Sequence, residues 1–295
     1  MHGRRVTAGA RFRSELDAER PLQVAGAINA YTAMLAERAG FRALYVSGAG
    51  VANYSLGLPD LAMTHLGDIV TDTARITAAT SLPVLVDIDT GWGHALTIDR
   101  AVRELERAGA AGIQIEDQAG AKRCGHRPNK SVVEPEEMVE RVRAGVAART
   151  DDAFVIVART DARAVEGLEA AVERARMYAA AGADVIFAEA PESAAELDAF
   201  VDALEVPVLA NMTEFGVTPL LSLDELAECG VAIALYPLSA ARAAAKAAEA
   251  VYRTIRREGG QASVLDAMQT RDELYDVLDY HRYEAIVDAV QGHGA

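Results

Sequence analysis

One unit recurs along this chain: an alanine-rich segment of helical character, a glycine, and then a short apolar run. It reads "LAERAGFRALYVSG", "LERAGAAGIQIED", "YAAAGADVIFAEA" and "LAECGVAIALYP". Gly40, Gly109, Gly182 and Gly230 stand where a helix takes a left-handed C-terminal residue. Further apolar runs are interleaved: "LQVAGAIN", "LPVLVDIDTG", "AFVIVARTDA" and "VPVLANMT". Two of them open with Pro83 and Pro207, at the first position of a strand, where proline is tolerated. About eight apolar strands thus alternate with helix-length segments. Strands apolar on both faces, joined by helices, pack as a parallel sheet covered by helices. Eight such units predict a closed (β/α)8 barrel of the TIM type. An open doubly wound sheet is the alternative, but no G-x-G-x-x-G follows the first strand.

The last third of the chain departs from this pattern. "ALYPLSAARAAAKAAEAVYRTIRREGG", "SVLDAMQTRDELYDVL" and "YHRYEAIVDAV" read as helices beyond the barrel, an extension over about 238–291 of one domain spanning 1–295. Such helices pack on another subunit or cap the barrel. The net charge of −15 argues against a nucleic-acid or anionic-membrane partner, because like charges repel. No apolar run approaches the roughly 20 residues of a membrane span. The basic start "MHGRRVTAGARFRSEL" lacks the apolar core of a signal peptide. Cys124 and Cys229 are far apart and make no disulfide framework, so a reducing cytoplasm is the expected setting.

In a barrel of this kind the active site is built at the C-terminal ends of the strands. Those ends carry Tyr45, Ser47 and Gly48; Asp87 and Asp89; Glu116 and Asp117; Arg159 and Asp161; Glu189; Asn211 and Thr213; Tyr236 and Pro237. Asp87, Asp89, Glu116 and Glu189 converge on one mouth, and carboxylates so crowded repel unless a cation sits among them. All are hard oxygen donors and no histidine joins them, which favours Mg²⁺, or Mn²⁺, over Zn²⁺. In "DIDTG" the two aspartates are two residues apart, on one strand face ahead of a helix starting near Ala95. Arg159 and Asn211 suit a carboxylate or an enolate oxygen. The Gly-rich "SGAGVANYSLGLPD" reads as a loop that cradles an anion and brings Asp60 near the metal.

The segment "GAKRCGHRPNK" places Lys122, Arg123, His126, Arg127 and Lys130 around Cys124. Cationic neighbours lower a thiol's pKa, and a group that titrates near the working pH serves as general acid or base. The segment Asp117–Pro135 is long for a connection, which marks it as functional. Cys229, in "LAECGVAIAL", reads as a small buried hydrophobe.

"KRCGH", "DIDTGWG", "YVSGAGVANYSLGLPD", "IEDQ" and "NMTEFG" together resemble the isocitrate lyase/phosphoenolpyruvate mutase superfamily, and within it the 2-methylisocitrate lyases. The likeness runs over almost the whole chain. It implies a barrel whose eighth helix is exchanged between subunits of a homotetramer. It implies Mg²⁺-assisted, reversible cleavage of 2-methylisocitrate, a small carboxylate substrate, into pyruvate and succinate, a step of the methylcitrate cycle of propionate catabolism. By the same resemblance Asp87 and Asp89 hold the metal, with Asp60, Glu116 and Glu189 nearby. Ser47, Gly48, Ala49 and Arg159 bind the pyruvate part; Gly125, His126, Asn211 and Arg242 bind the succinate part. Lys122, Thr213 and Pro237 join the substrate pocket. Cys124 exchanges the proton with the succinate carbon, Tyr45 helps with the hydroxyl proton, and Phe187 with Leu235 sets specificity.

Isocitrate lyases share the cysteine loop but are longer; phosphonate mutases and hydrolases and oxaloacetate decarboxylases generally lack the cysteine. A Schiff-base aldolase needs a lysine at a strand end, and Lys122, Lys130 and Lys246 occupy none. A non-catalytic binding barrel is the alternative from a different class.

Overall fold

The computed structural model describes residues 6–120, 122–123, 125–127 and 129–291. The chain divides into two compact units, Met1–Ala241 and Arg242–Ala295. The first holds eight strands: β1 (Leu22–Gly26), β2 (Ala43–Val46), β3 (Val84–Asp87), β4 (Gly112–Glu116), β5 (Val155–Thr160), β6 (Val185–Ala188), β7 (Val208–Asn211) and β8 (Ile233–Tyr236). Each pairs in parallel with the next and β8 returns to β1, closing the barrel that the sequence pattern predicts. The glycines expected to end helices do so with φ of +95°, +89°, +107° and +73° at Gly40, Gly109, Gly182 and Gly230.

Helix Ala95–Arg107 shows why these segments cover the sheet. It buries Ile98, Ala101, Val102 and Leu105, an i, i+3, i+4, i+7 stripe. Its start is fixed by reciprocal capping: His94 Nδ1 accepts from the Leu96 amide at 3.3 Å, and Thr97 Oγ1 accepts from the His94 amide at 3.1 Å. Side chains on the two faces of the barrel wall form separate apolar clusters. The helix-facing cluster includes Leu44, Val86, Ile113, Ile156 and Ile186. The other contains Leu22, Val24, Leu85, Val157, Phe187, Leu209 and Leu235 with Phe12 and Leu16 of helix Ala8–Ala18, which packs on the barrel interior. Burying each such side chain contributes roughly 1.5–3 kcal/mol.

Period-two alternation then decides what reaches the barrel mouth. From the interior layer, steps of two residues lead from Leu85 to Asp87, Val157 to Arg159, Phe187 to Glu189, Leu209 to Asn211 and Leu235 to Pro237. On β4 the same parity gives Gly112, Gln114 and Glu116.

The second unit is helical, as expected of this region. It contains most of helix Ser239–Glu258, a 3-10 turn at Ala262–Ala267, and helices Arg271–Leu278 and Tyr280–Gln291. Tyr275 and Tyr280 stack with ring centroids 4.1 Å apart. Tyr252, Tyr283, Ile286, Val287 and Val290 are exposed. Among the described residues no helix is long and apolar enough to cross a membrane.

Candidate active site

Asp87 closes β3. Its Oδ1 accepts from the Asp89 amide and its Oδ2 from the Gly48 amide, each at 3.0 Å. A Cβ at position 48 would stand 2.9 Å from Asp89 Oδ1 and 3.2 Å from Asp87 Oδ2, so only glycine lets the backbone come this close. The spacing predicts that Asp89 continues the strand, but β3 ends at Asp87. Asp89 lies in a turn at φ +50°, a conformation that aspartate tolerates. The turn nevertheless returns its carboxylate to the group: one oxygen each from Asp87, Asp89 and Glu116 lie within 4.8 Å of one another. Burial, then the Asp87 charge, raises the Asp89 carboxyl to about 7, against the pull of Lys122. Burial also drives Glu116 well above the usual carboxylate range, against the pull of Arg159. Glu116 Oε1 is buried with no hydrogen-bond partner. Three crowded hard oxygen donors, incompletely countered, fit a divalent cation.

Asp60 stands outside that group. Its carboxylate pairs with Lys122 Nζ, which also lies 2.6 Å from Asp89 Oδ1. Burial alone would lower the Lys122 ammonium; Asp89, Glu116 and Asp60 overturn this and hold it well above its ordinary value. The segment "SGAGVANYS" is not an open loop: Gly48–Gly50 forms a helical turn that widens into a π-helical turn at Val51–Ser55.

Arg159 links the remaining acids. Its Nε and Nη2 donate to Asp161 at 2.9 and 3.1 Å. Nη1 lies 3.4 Å from Glu116 and Nη2 3.4 Å from Glu189. The guanidinium carbon sits 5.2 Å from the Phe187 ring centre. Asn211 Nδ2 donates to Glu189 at 3.2 Å, and Asn211 Oδ1 is buried without a hydrogen-bond partner. The Tyr45 hydroxyl donates to Gln114 Oε1 at 2.6 Å. Burial, then Asp87, raises this phenol well above its ordinary pKa, so it keeps its proton and serves here as a hydrogen-bond donor.

His126 Nδ1 accepts from the Val217 amide at 3.1 Å, which leaves the ring proton on Nε2, 3.3 Å from Glu189 Oε1. Burial lowers its pKa, opposed by Glu189 and aided by Arg159 and Lys130, so the ring is neutral at neutral pH. A Cβ at Gly125 would strike Glu189 Oε1 and Arg159 Nη2. Cys124 lies outside the described residues. Of the lysines in this segment, Lys122 pairs with Asp60 and Asp89, and Lys130 with Asp161 at 2.7 Å. Each buried ammonium finds a buried carboxylate there, while Arg123 and Arg127 are exposed.

Ser47, Thr213, Pro237, Phe187 and Leu235 are buried at or just below the mouth, and Ala49 is half-buried beside Gly48. Arg242 belongs to the second unit, on helix Ser239–Glu258. Cys229 is half-buried and packs against the helix-facing core, near to what its context predicts. The sequence reading passed over Gln114, although a polar residue inside the apolar run "GIQIE", at the parity of Glu116, marks it. It also passed over the contacts of Gln118 and Lys130. A cavity of about 940 Å³ lies beside the starts of β3, β4 and β5, lined by Leu82, Ala110 and Phe154, away from the carboxylates.

Residues 12–256 match the family model described as phosphoenolpyruvate phosphomutase. The chain is 57% identical over 281 residues to the 2-methylisocitrate lyase of Escherichia coli, covering 95% of each chain. Among solved structures it is similar to 2,3-dimethylmalate lyase, a member of the PEP mutase/isocitrate lyase superfamily, with a TM-score of 0.89 and 34% identity over 98% of this chain and 97% of that one. It is also similar to phosphonopyruvate hydrolase in complex with oxalate and Mg²⁺, with a TM-score of 0.85 and 32% identity over 96% of this chain and 98% of that one.

Proposed function

The chain belongs to the phosphoenolpyruvate phosphomutase family, and from that premise we propose that it is a carbon–carbon lyase that cleaves 2-methylisocitrate into pyruvate and succinate. The observation that carries the reading is the juxtaposition, at one barrel mouth, of the Asp87–Asp89–Glu116 carboxylates with the Arg159–Glu189–Asn211–His126 cluster. The first group suits a hard cation and the second suits a polycarboxylate. The relatives named above support the substrate.

Asp87, Asp89 and Glu116 would hold Mg²⁺, or Mn²⁺ in its place, with Asp60 acting through Lys122. When bound, the cation supplies Lewis-acid polarisation of substrate oxygens. Cleavage releases the substrate's hydroxyl proton to solvent water, turns that C–O bond into the pyruvate carbonyl, and leaves the electron pair of the broken C–C bond on the succinate carbon. Arg159, Asn211 and neutral His126 are donors placed to stabilise the charge that develops on the adjoining carboxylate. Cys124 returns a proton to that carbon, so one proton leaves and one arrives. Tyr45, held as a donor by Gln114, assists at the hydroxyl end. Ser47, Gly48 and Ala49 take the pyruvate part; Lys122, Gly125, Thr213 and Pro237 complete the pocket; Phe187 and Leu235 select the substrate.

The same reading makes the protein a cytoplasmic homotetramer acting in propionate catabolism, with a single barrel domain, a C-terminal helical extension, and the eighth helix exchanged between subunits. The exposed apolar residues of the second unit support an oligomer; light scattering on the purified protein checks it. The decisive experiment offers 2-methylisocitrate and isocitrate separately with Mg²⁺. Equimolar pyruvate and succinate from the first, at far higher kcat/KM than any product from the second, is the expected result. Preference for isocitrate, or no cleavage of either, rejects the proposal.

A further inference from the structure

Two buried side chains that the chemistry above does not use, Gln118 and Lys130, hold the segment after β4. The base of the segment is a short antiparallel ladder: the Val133 amide donates to the Asp117 carbonyl at 2.9 Å, and the Ala119 amide to the Ser131 carbonyl at 2.8 Å. Beyond it, Gln118 folds its amide across the loop. Nε2 donates to the Arg123 carbonyl and Oε1 accepts from the Arg123 amide, both at 2.8 Å. Lys130, its side chain 1% exposed, donates to the Gly125 carbonyl and to Asp161 Oδ1 at 2.7 Å.

The Lys130 anchor is itself tied into the barrel by further hydrogen bonds. The Asp161 amide donates to Asp117 Oδ1 at 2.8 Å, and Asp117 Oδ2 accepts from the Thr160 and Tyr178 hydroxyls at 2.7 and 2.9 Å. Asp161 also receives the bidentate Arg159 pair, so its carboxylate is held from a second side. What Lys130 adds is the bond to the Gly125 carbonyl. Gly125 is where a Cβ would meet Glu189 and Arg159. Its backbone therefore lies against the site, and a small shift there moves site groups directly.

We infer that Gln118 and Lys130 are positioning residues for the proposed cleavage, fixing the peptide units at Arg123 and Gly125. The kinetic arm of the test rests on the proposed function; the exchange arm does not. In Lys130→Ala, kcat for 2-methylisocitrate should fall about a hundredfold, the scale on which a 1 Å misplacement acts. KM should stay within about threefold, since binding groups remain. Propylammonium, which matches the deleted atoms, should restore most of the rate, and n-propanol should not. Hydrogen exchange in the peptide spanning residues 119–131 should quicken in the variant and slow again with propylammonium. Gln118→Leu, which strands no buried charge, should show the same loss of kcat with no response to propylammonium. Unchanged kcat in both variants overturns the inference. So does a loss matched by lowered thermal stability with no amine rescue and unchanged exchange. If the native protein does not cleave 2-methylisocitrate, the proposed function fails, and the exchange measurements still decide the anchoring.

Discussion

The Lys122 ammonium lies 2.6 Å from Asp89 Oδ1 and pairs with Asp60 as well, so one buried lysine bridges a loop aspartate and a carboxylate of the candidate metal group. Removing one partner of a buried ion pair leaves an uncompensated charge, at a cost of about 3–5 kcal/mol. Lys122→Met should therefore destabilise the metal-free protein by that order in denaturant titrations. Saturating Mg²⁺ should recover part of the loss, because the cation countercharges Asp89. An equal loss with and without Mg²⁺ would show that Asp89 is not a ligand.

The pH dependence of metal binding follows from the same carboxylate. Asp89, near 4 when unfolded, titrates at about 7 in the fold, chiefly through burial. Between those values the folded state holds a proton that the unfolded chain has lost. The stability this group contributes is complete below the unfolded pKa and is lost as pH rises through about 7. A divalent cation binds the deprotonated form, so it competes with the proton below that value. The rise in melting temperature produced by Mg²⁺ should be larger at pH 8 than at pH 5.5, and EDTA should abolish turnover at both. A larger rise at pH 5.5, or full turnover in chelated protein, contradicts the assignment.

The barrel was legible in the sequence because parallel strands are buried on both faces, which writes each as an unbroken apolar run. The polar residues at the run ends marked the mouth, since parity and strand direction suffice to bring Asp87, Glu116, Arg159 and Asn211 together. What parity cannot give is pairing across loops. Lys122 reaches Asp60 and Asp89, and Lys130 reaches Asp161, through loop paths that no periodicity encodes. Nothing along the chain announces these partners; in space both lysines answer carboxylates of the barrel mouth. Asp89 is a similar case, expected on the strand but held in a left-handed turn.

Phe187 lies in the barrel-interior cluster with the Arg159 guanidinium over its ring. A larger ring at this position fills space that the substrate's extra methyl would use. One methylene in a fitted pocket is worth roughly 1–3 kcal/mol of discrimination. Phe187→Trp should lower kcat/KM for 2-methylisocitrate more than for isocitrate, by a factor in that range. Equal losses on both substrates would reduce Phe187 to packing and to the support of Arg159.

The two cysteines should separate cleanly in chemical reactivity. Burial, with Asp198 adding to it, pushes the Cys229 thiol up to about 11. At pH 7.5 its thiolate fraction is on the order of one in three thousand, and only the thiolate reacts. Cys124, set in sequence among Lys122, Arg123, His126 and Arg127, is the proposed proton donor. Iodoacetamide at pH 7.5 should therefore modify Cys124 first and remove turnover, with Cys229 found unmodified by peptide mapping. Cys124→Ser should lower kcat by several orders of magnitude, because a hydroxyl is too weak an acid near neutral pH to replace a thiol. Its binding of pyruvate and succinate should persist, since Arg159, Asn211 and the carboxylate group remain. Inactivation that tracks Cys229 labelling, or near-normal turnover by the serine variant, removes Cys124 from the proton transfer and leaves that step to another donor at the mouth.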